Sequence, residues 1–381
     1  MISPLPSIAI LTWGLAGGAL ANNTAAMTKG FWEAGVHNIY LVYIAEPPGQ
    51  YVEIPSGVKL VKLDCKRARS LILPLAKFLK EYSPDILIAI SMFINIPATL
   101  GWLIPGKSKT KLILSQHSTM SYKAYVEQKN SLQVRSYPLL AKLLYPRASA
   151  LRANSQEVLD DLLREVRISI PADRAITIPN PVNIEAVMRF SQDEATHPWL
   201  INKTHPVILS VARLAKQKNF PLLLEAFKLI HQQSSARLII FGEGSERETL
   251  EKIITKLGIE EIVSLPGFTS NPWCNMAQSD VFVLPSEEEP FGLALVEAMA
   301  CGVPVVATDS IGGGPRYILG NSEYGKLVPN YNIEALANSI NRLLSSREER
   351  MHFSQVGKTR CLEFDPKSIA MQWLSFFRTL S

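Results

Sequence analysis

Two glutamates with seven residues between them, Glu289 and Glu297, and two loop cations, Arg213 and Lys218, are the residues whose types and spacing point most directly to chemistry. The glutamates lie in the stretch Ser286 to Asp309, SEEEPFGLALVEAMACGVPVVATD. It follows one apolar run, VFVLP, and contains another, VPVVAT, which read as neighbouring buried parallel strands, so what joins them must be a loop and then a helix. Pro290 disfavours helical geometry at Glu289 and keeps it in the loop. Gly292 permits close backbone approach, and the helix is expected to begin near Leu293. The unpaired N–H groups of Gly292, Leu293 and Ala294 at such a helix start suit a diphosphate. Glu297 is then expected to face the same cleft from the first turn, the two carboxylates standing about 12 Å apart or more. That is too wide for a glycosidase pair, which needs roughly 5 to 9.5 Å. It suits one long ligand held at two places, with hexose hydroxyls at one end and ribose hydroxyls at the other.

Arg213 and Lys218 fall in the loop after the run VILSVA and before a helix that Pro221 opens, again at a strand's carboxyl end. Two cations there would neutralise a diphosphate leaving group without a metal. The run Gly312-Gly313-Gly314 is expected to add further backbone N–H groups. No Asp-x-Asp stands near these residues, and the four cysteines, Cys65, Cys274, Cys301 and Cys361, form no C-x-x-C pair. Neither a zinc site nor a disulfide framework is signalled, a reducing compartment fits best, and no metal or other cofactor is expected.

The elements that must position these groups alternate along the whole chain. Apolar, β-branched runs occur at SIAILT, NIYLVYI, VKLVKL, DILIAI, KLILS and AITIP, and again at HPVILSVA, ARLIIFG, EIVSLPG, DVFVLP and VPVVAT, with amphipathic segments between them. Such alternation predicts α/β architecture with parallel sheets wrapped by helices. A chain of 381 residues, 47% of them hydrophobic, supports two full cores. The polar stretch Ser191 to His205 reads as the linker between two doubly wound, Rossmann-like domains facing each other across a cleft. The expected bounds are residues 1–190, 191–365 and a final helix over 366–381.

Charge is unevenly shared. Residues 1–190 hold 21 Lys+Arg against 13 Asp+Glu, a balance of +8, and residues 191–381 hold 18 against 21, a balance of −3. On charge alone the basic half should prefer an anionic partner, such as a phosphorylated acceptor, an anionic membrane surface or a nucleic acid. The segment from Lys66 to Arg69 leading into SLILPLAKFLK is the first place to look for such contact, although Leu71, Leu75, Phe78 and Leu79 equally suit the core face of an ordinary surface helix. No run reaches the ~20 apolar residues of a membrane span. No Lys or Arg precedes the apolar stretch Ile8 to Ala21, so it reads as strand, glycine loop and helix, and the chain as cytoplasmic. Its GLAGGALA lacks the G-x-G-x-x-G spacing of a dehydrogenase, and nucleic acid is not an expected partner.

Together these segments resemble glycosyltransferase family 4, whose members are retaining enzymes of the GT-B fold. The resemblance is carried by VARLAKQKNFPLLLEAF, LIIFGEGSERETLEKI, LPGF, the Glu289 to Asp309 region and GGGPRYILGNSEYGKLVP. It continues more loosely through Gly17-Gly18, SQHSTMS, ANSQEVLDDL and IPNPVN. It implies that Glu289 contacts the donor hexose and Glu297 the ribose, that Arg213 and Lys218 bind the diphosphate and stabilise its departure, and that Leu265 and Gly267 frame the base. Gly17, Gly18, Phe291, Gly292 and Leu293 are implied to complete the donor site, and His117 to lie near the reacting sugar. It implies, too, that the final helix, around Trp373, crosses to the first domain. Asn183 stands where the family often has aspartate. Arg316 and the run His197-Pro198-Trp199 resemble a subset acting on polysaccharide and lipid-linked sugars, with Tyr317 in place of that subset's glutamate. The expected activity is transfer of a hexose or N-acetylhexosamine from a UDP-sugar to a hydroxyl of a glycan or lipid-linked acceptor. The alternatives are an epimerase or hydrolase on the same fold, or a non-catalytic binder of sugar nucleotides.

Overall fold

The apolar runs form parallel strands in two separate sheets. The computed structural model describes residues 5–16, 18–45, 52–65, 67–105 and 109–380, so Gly17 and Lys66 fall outside the described residues. The chain divides into two compact units, Met1–Val182 together with Asp365–Ser381, and Asn183–Phe364.

In the first unit seven strands run in parallel: β1 (Ile8–Thr12), β2 (Ile39–Tyr43), β3 (Lys59–Lys62), β4 (Ile86–Ile90), β5 (Lys111–Gln116), β6 (Ala150–Ala153) and β7 (Ala175–Thr177). Their order across the sheet is β3-β2-β1-β4-β5-β6-β7. The central strands β1 and β4 are buried along their whole length, which is why they read as unbroken apolar runs. Strand β6 was not legible, because Arg152 interrupts ALRA, yet that arginine is only 1% exposed.

The helix Pro366–Thr379 belongs to this unit. It lays Trp373, fully buried, and Phe377 against Phe31 of the helix Ala19–Glu33, with ring centroids 6.4 and 5.9 Å from that of Phe31. Gly30 makes the approach possible: a Cβ there would stand 2.1 Å from the Pro366 carbonyl oxygen.

The second unit holds β8 (Val207–Val211), β9 (Arg237–Phe241), β10 (Val263–Gly267), β11 (Val281–Leu284), β12 (Val305–Thr308) and β13 (Lys326–Val328) in the order β10-β9-β8-β11-β12-β13. The order reverses between β8 and β11, and in such sheets ligands bind beside the carboxyl ends at that reversal. The three-residue β13 was too short to announce itself.

The helix Ile184–Phe190 lies in this second unit, so the division falls after Val182 and not after residue 190. Nor is the stretch Ser191 to His205 a free linker. Phe190 stacks on Trp273 at 5.8 Å, Asn271 Nδ2 donates to Phe190 O and Asp193 Oδ2, and Thr196 N donates to Asn275 Oδ1. Polar composition here marks residues that anchor a surface segment by hydrogen bonds. Among the described residues no helix is long and apolar enough to cross a membrane.

Candidate functional site

The loops after β8 and β11, at the strand-order reversal of the second unit, carry Arg213, Lys218 and Glu289. Lys216–Lys218 forms a single 3-10 turn, and Asn219, in the left-handed region at φ 47°, redirects the chain into the helix Phe220–His231. Lys218 Nζ then reaches across to Glu289 Oε2 at 2.5 Å, and Ser286 Oγ donates to the same oxygen at 3.2 Å. Glu289 is held at its backbone as well, its N–H donating to Ile311 O and its carbonyl accepting from Gly314 N. With Oε2 occupied twice, Oε1 takes no hydrogen bond among the described residues and is the oxygen left for a ligand hydroxyl. Arg213 is exposed and makes no ion pair among the described residues, so its guanidinium is available to an anion.

The helix Leu293–Ala300 begins where the sequence placed it, with Gly292 at φ 101° in a conformation that favours glycine. The N–H groups of Gly292, Leu293 and Ala294 have no acceptor among the described residues. The Phe291 side chain is buried and packs edge-on against Phe364 at 5.6 Å, so only its backbone is available for a donor. Glu297 is the fifth residue of the helix and opens its second turn, not its first. Its carboxyl is pushed up to about 7 by burial, and the opposing influence comes from the indole N–H of Trp273. That indole is buried and meets no acceptor at hydrogen-bond geometry among the described residues.

The glycine run serves packing more than ligand binding. Gly313 N and Gly314 N are used by Ser310 O and Glu289 O, and a Cβ on Gly314 would stand 2.2 Å from the Phe291 carbonyl oxygen. Gly314 lets the segment close against the Glu289 loop, and the N–H groups of Gly313 and Gly314 are therefore not the ones offered to a phosphate. Leu265 and Gly267, at the end of β10, adjoin the loop after β9. Gly242 N donates to Gly267 O at 2.9 Å, and the Arg247 guanidinium donates to Leu265 O at 3.3 Å. Gly242 and Gly244 are needed because a Cβ on either would stand 1.9 or 2.2 Å from the carbonyl oxygens of Ala212 and Leu214, which flank Arg213.

In the first unit, His117 follows the end of β5. Its Nε2 lies 2.9 Å from Ser115 Oγ and 3.2 Å from the buried Arg152 Nη1, and Arg152 Nη2 donates to Asn180 Oδ1 at 3.0 Å. Burial, and after it the Arg152 charge, holds the imidazole well below its ordinary value of 6.5. Gly18, at φ 82°, caps the helix Ala19–Glu33 after β1. Its neighbour Gly17 lies outside the described residues.

Two family models match the two halves of the chain, one described as Glycosyltransferase Family 4 over residues 24–186 and one as Glycosyl transferases group 1 over residues 191–360. An N-acetylgalactosamine-N,N'-diacetylbacillosaminyl-diphospho-undecaprenol 4-alpha-N-acetylgalactosaminyltransferase of Campylobacter jejuni is 31% identical, over 71% of this chain and 70% of that protein. The chain belongs to glycosyltransferase family 4. Solved structures agree on the fold of this glycosyltransferase. A sucrose-phosphate synthase from Thermosynechococcus elongatus superposes with TM-score 0.80 at 19% identity, covering 98% of both chains. Anabaena HepE, solved in complex with UDP and glucose, gives 0.75 at 21% identity, covering 98% of this chain and 99% of that one. The glycosyltransferase therefore has the two-domain α/β GT-B fold.

Sequence reasoning passed over three residues, one in the second unit and two in the first. Ser286 and Arg152 each hold a group it had singled out, Glu289 and His117, and Asn180 anchors Arg152. An arginine between buried residues in ALRA was a usable signal, since arginine is almost never fully buried without a specific partner. Serine gives no such signal, being common in loops.

Proposed function

We propose that this glycosyltransferase moves a hexose or N-acetylhexosamine from a UDP-sugar to a hydroxyl of a glycan or lipid-linked acceptor in cell-surface polysaccharide or glycolipid synthesis, with retention of configuration and without a metal. The observation that carries the reading is the grouping of Arg213, the Lys218–Glu289 pair and the open helix start at Leu293 around one strand-order reversal. A cation and three N–H groups that have no partner among the described residues answer a diphosphate. A carboxylate with one oxygen fixed and the other open answers a sugar hydroxyl. The name of the Campylobacter relative, with its diphospho-undecaprenol acceptor, favours a lipid-linked acceptor here. UDP in HepE favours a uridine donor.

Calorimetric titration tests the division of labour. Glu297→Gln should weaken free UDP about as much as UDP-sugar, because ribose is common to both. Glu289→Gln should spare UDP and damage sugar transfer. Equal losses of UDP affinity in the two variants would refute the assignment.

Attachment to an anionic membrane surface on the cytoplasmic side is part of the same reading; in the segment first suspected, Arg67, Arg69, Leu73, Lys77 and Lys80 are exposed. Leu71, Leu75, Phe78 and Leu79 are buried in the core of the first unit. The favoured surface is the helix Leu132–Leu144, whose outer ridge exposes Leu132, Leu139 and Leu143 by 80%, 62% and 57%. Tyr125 and Val126 are exposed on the turn before it. Lys129, Arg135, Lys142 and Arg147 are exposed along this stretch, and no Asp or Glu occurs from residue 128 to residue 156. Apolar side chains ringed by cations fit a bilayer of anionic lipid.

A further inference from the structure

Arg152 lies on β6, 1% exposed, and no carboxylate pairs with it among the described residues. Its partners are neutral: Nη1 donates to Ser115 Oγ at 3.0 Å and lies 3.2 Å from His117 Nε2, and Nη2 donates to Asn180 Oδ1 at 3.0 Å. The Trp373 ring lies 5.5 Å from Cζ. Burial pushes the guanidinium down to about 9, which still leaves it charged at neutral pH. Burying an arginine without a counter-charge is costly, and a core of apolar residues would avoid that cost. The group is therefore worth explaining by what it does to its neighbours.

A protonated guanidinium carries five N–H donors and no acceptor. Any ring nitrogen at hydrogen-bond distance from it must offer a lone pair, so His117 Nε2 is an acceptor and carries no proton. Ser115 Oγ, 2.9 Å from the same nitrogen, supplies a second donor. The ring's one proton then sits on Nδ1, which makes no hydrogen bond among the described residues.

We propose that Arg152 is a positioning residue for His117: it fixes the imidazole as the tautomer with its proton on Nδ1, so that His117 enters sugar transfer as a hydrogen-bond donor and not as a general base. With Nε2 engaged by Arg152 and Ser115, and Nδ1 already protonated, neither nitrogen can accept a proton from an acceptor hydroxyl. The effect on turnover rests on the reading above, in which His117 meets the reacting sugar; the tautomer does not.

The electrostatic surroundings agree. Arg152, from β6, is the charged group that acts on His117 and adds to burial in disfavouring the imidazolium. Asp161 is not among the charges that act on His117, and its carboxylate accepts from Met120 N, Ser121 N and Ser121 Oγ. The Tyr145 hydroxyl, against Gln116 and Asn95, is neutral and held well above its ordinary range by burial.

The test is NMR of the whole chain with ring-labelled histidine, the His117 signal being assigned by its loss in His117→Gln. The wild type should show the Nδ1-protonated tautomer and no titration between about pH 5.5 and 8. Arg152→Met should release the ring, giving a mixture of tautomers and a midpoint shifted upward. It should also lower kcat by about 10- to 100-fold, with UDP affinity unchanged, by analogy with losing the group that orients a metal-ligating histidine. Arg152→Lys keeps a cationic donor and should restore the tautomer and part of kcat. A wild-type His117 protonated on Nε2, or one that titrates near its ordinary value, overturns the proposal even if Arg152→Met does not fold. So does an unchanged tautomer in a folded Arg152→Met. Full sugar transfer by His117→Gln and His117→Ala would instead overturn the reading of His117 as a group that meets the sugar, leaving the tautomer result intact.

Discussion

Lys218 and Glu289 constrain each other at 2.5 Å, with their side chains 19% and 11% exposed, while Arg213 a few residues earlier is exposed and free of ion pairs among the described residues. The two cations should therefore respond differently to removal. Arg213→Ala should lower kcat by about 10²-fold or more, as for loss of one preorganised donor to a leaving group, with little change in Tm. Lys218→Ala should lower kcat and also Tm, because it leaves a buried carboxylate without its cation. Steady-state kinetics and thermal melts separate the cases, and a rise in KM alone would contradict leaving-group stabilisation.

Glu297 gives a pH prediction at the same scale. Its carboxyl is raised from an ordinary 4.5 to about 7 by burial, so the fold favours the protonated form, and the cost of ionising it grows as pH rises between those values. Ribose hydroxyls donating to the carboxylate need the ionised form. Affinity for a UDP-sugar, whose diphosphate does not itself titrate in this range, should climb with pH up to about 7 and then level, and Glu297→Gln should flatten the curve. Calorimetry across that range measures it directly; a wild-type affinity independent of pH would remove the carboxylate from the ribose site.

At the scale of elements, the helix Leu132–Leu144 makes the sharpest prediction. If it is the proposed membrane surface, its exposed ridge and its cations should contribute separately to attachment. Leu139→Ser with Leu143→Ser should weaken binding to anionic vesicles and leave its salt dependence in place. Replacing Arg135 and Lys142 by glutamine should weaken binding by up to about five-fold for each cation and reduce the salt dependence of the remainder, which Lys129 and Arg147 still carry. Co-sedimentation at low and high ionic strength distinguishes the two effects, and equal binding to neutral and anionic vesicles would exclude the charge argument.

Elements were legible in the sequence where one physical demand dominated. Strands buried on both faces read as apolar runs, and the Glu-Pro step together with Gly292 marked the loop and the start of the helix Leu293–Ala300. Where demands competed, reading failed. Arg152 hid β6 because a buried cation is locally inconsistent with a core strand, and it proved to be held by Ser115, His117 and Asn180. The Ser191 to His205 stretch looked like a linker because its anchoring partners, Asn271 and Asn275, lie more than sixty positions away in the chain. Gly313 and Gly314 looked like part of a phosphate loop because sequence cannot distinguish an N–H offered to a ligand from one used by Ser310 or Glu289.

For the molecule as a whole, dividing the charge by structural unit sharpens the asymmetry. The unit of residues 1–182 and 365–381 holds 22 Lys+Arg against 13 Asp+Glu, and the unit of residues 183–364 holds 17 against 21. A basic unit suited to anionic surfaces and acceptors, and an acidic one whose Arg213, Lys218 and Leu293 helix start are local exceptions to its charge, match a division between acceptor and donor handling. The measurement that tests this most directly is sugar transfer by the chain in excess EDTA, across UDP-hexoses and UDP-N-acetylhexosamines, with glycan and lipid-linked acceptors supplied. The account predicts that one donor gives acceptor-dependent release of UDP, matched one for one by a new glycoside, undiminished by EDTA and reduced about 10²-fold by Arg213→Ala. Activity abolished by EDTA and rescued by Mg²⁺ or Mn²⁺, or donor hydrolysis or epimerisation that no acceptor diverts into a glycoside, would contradict it.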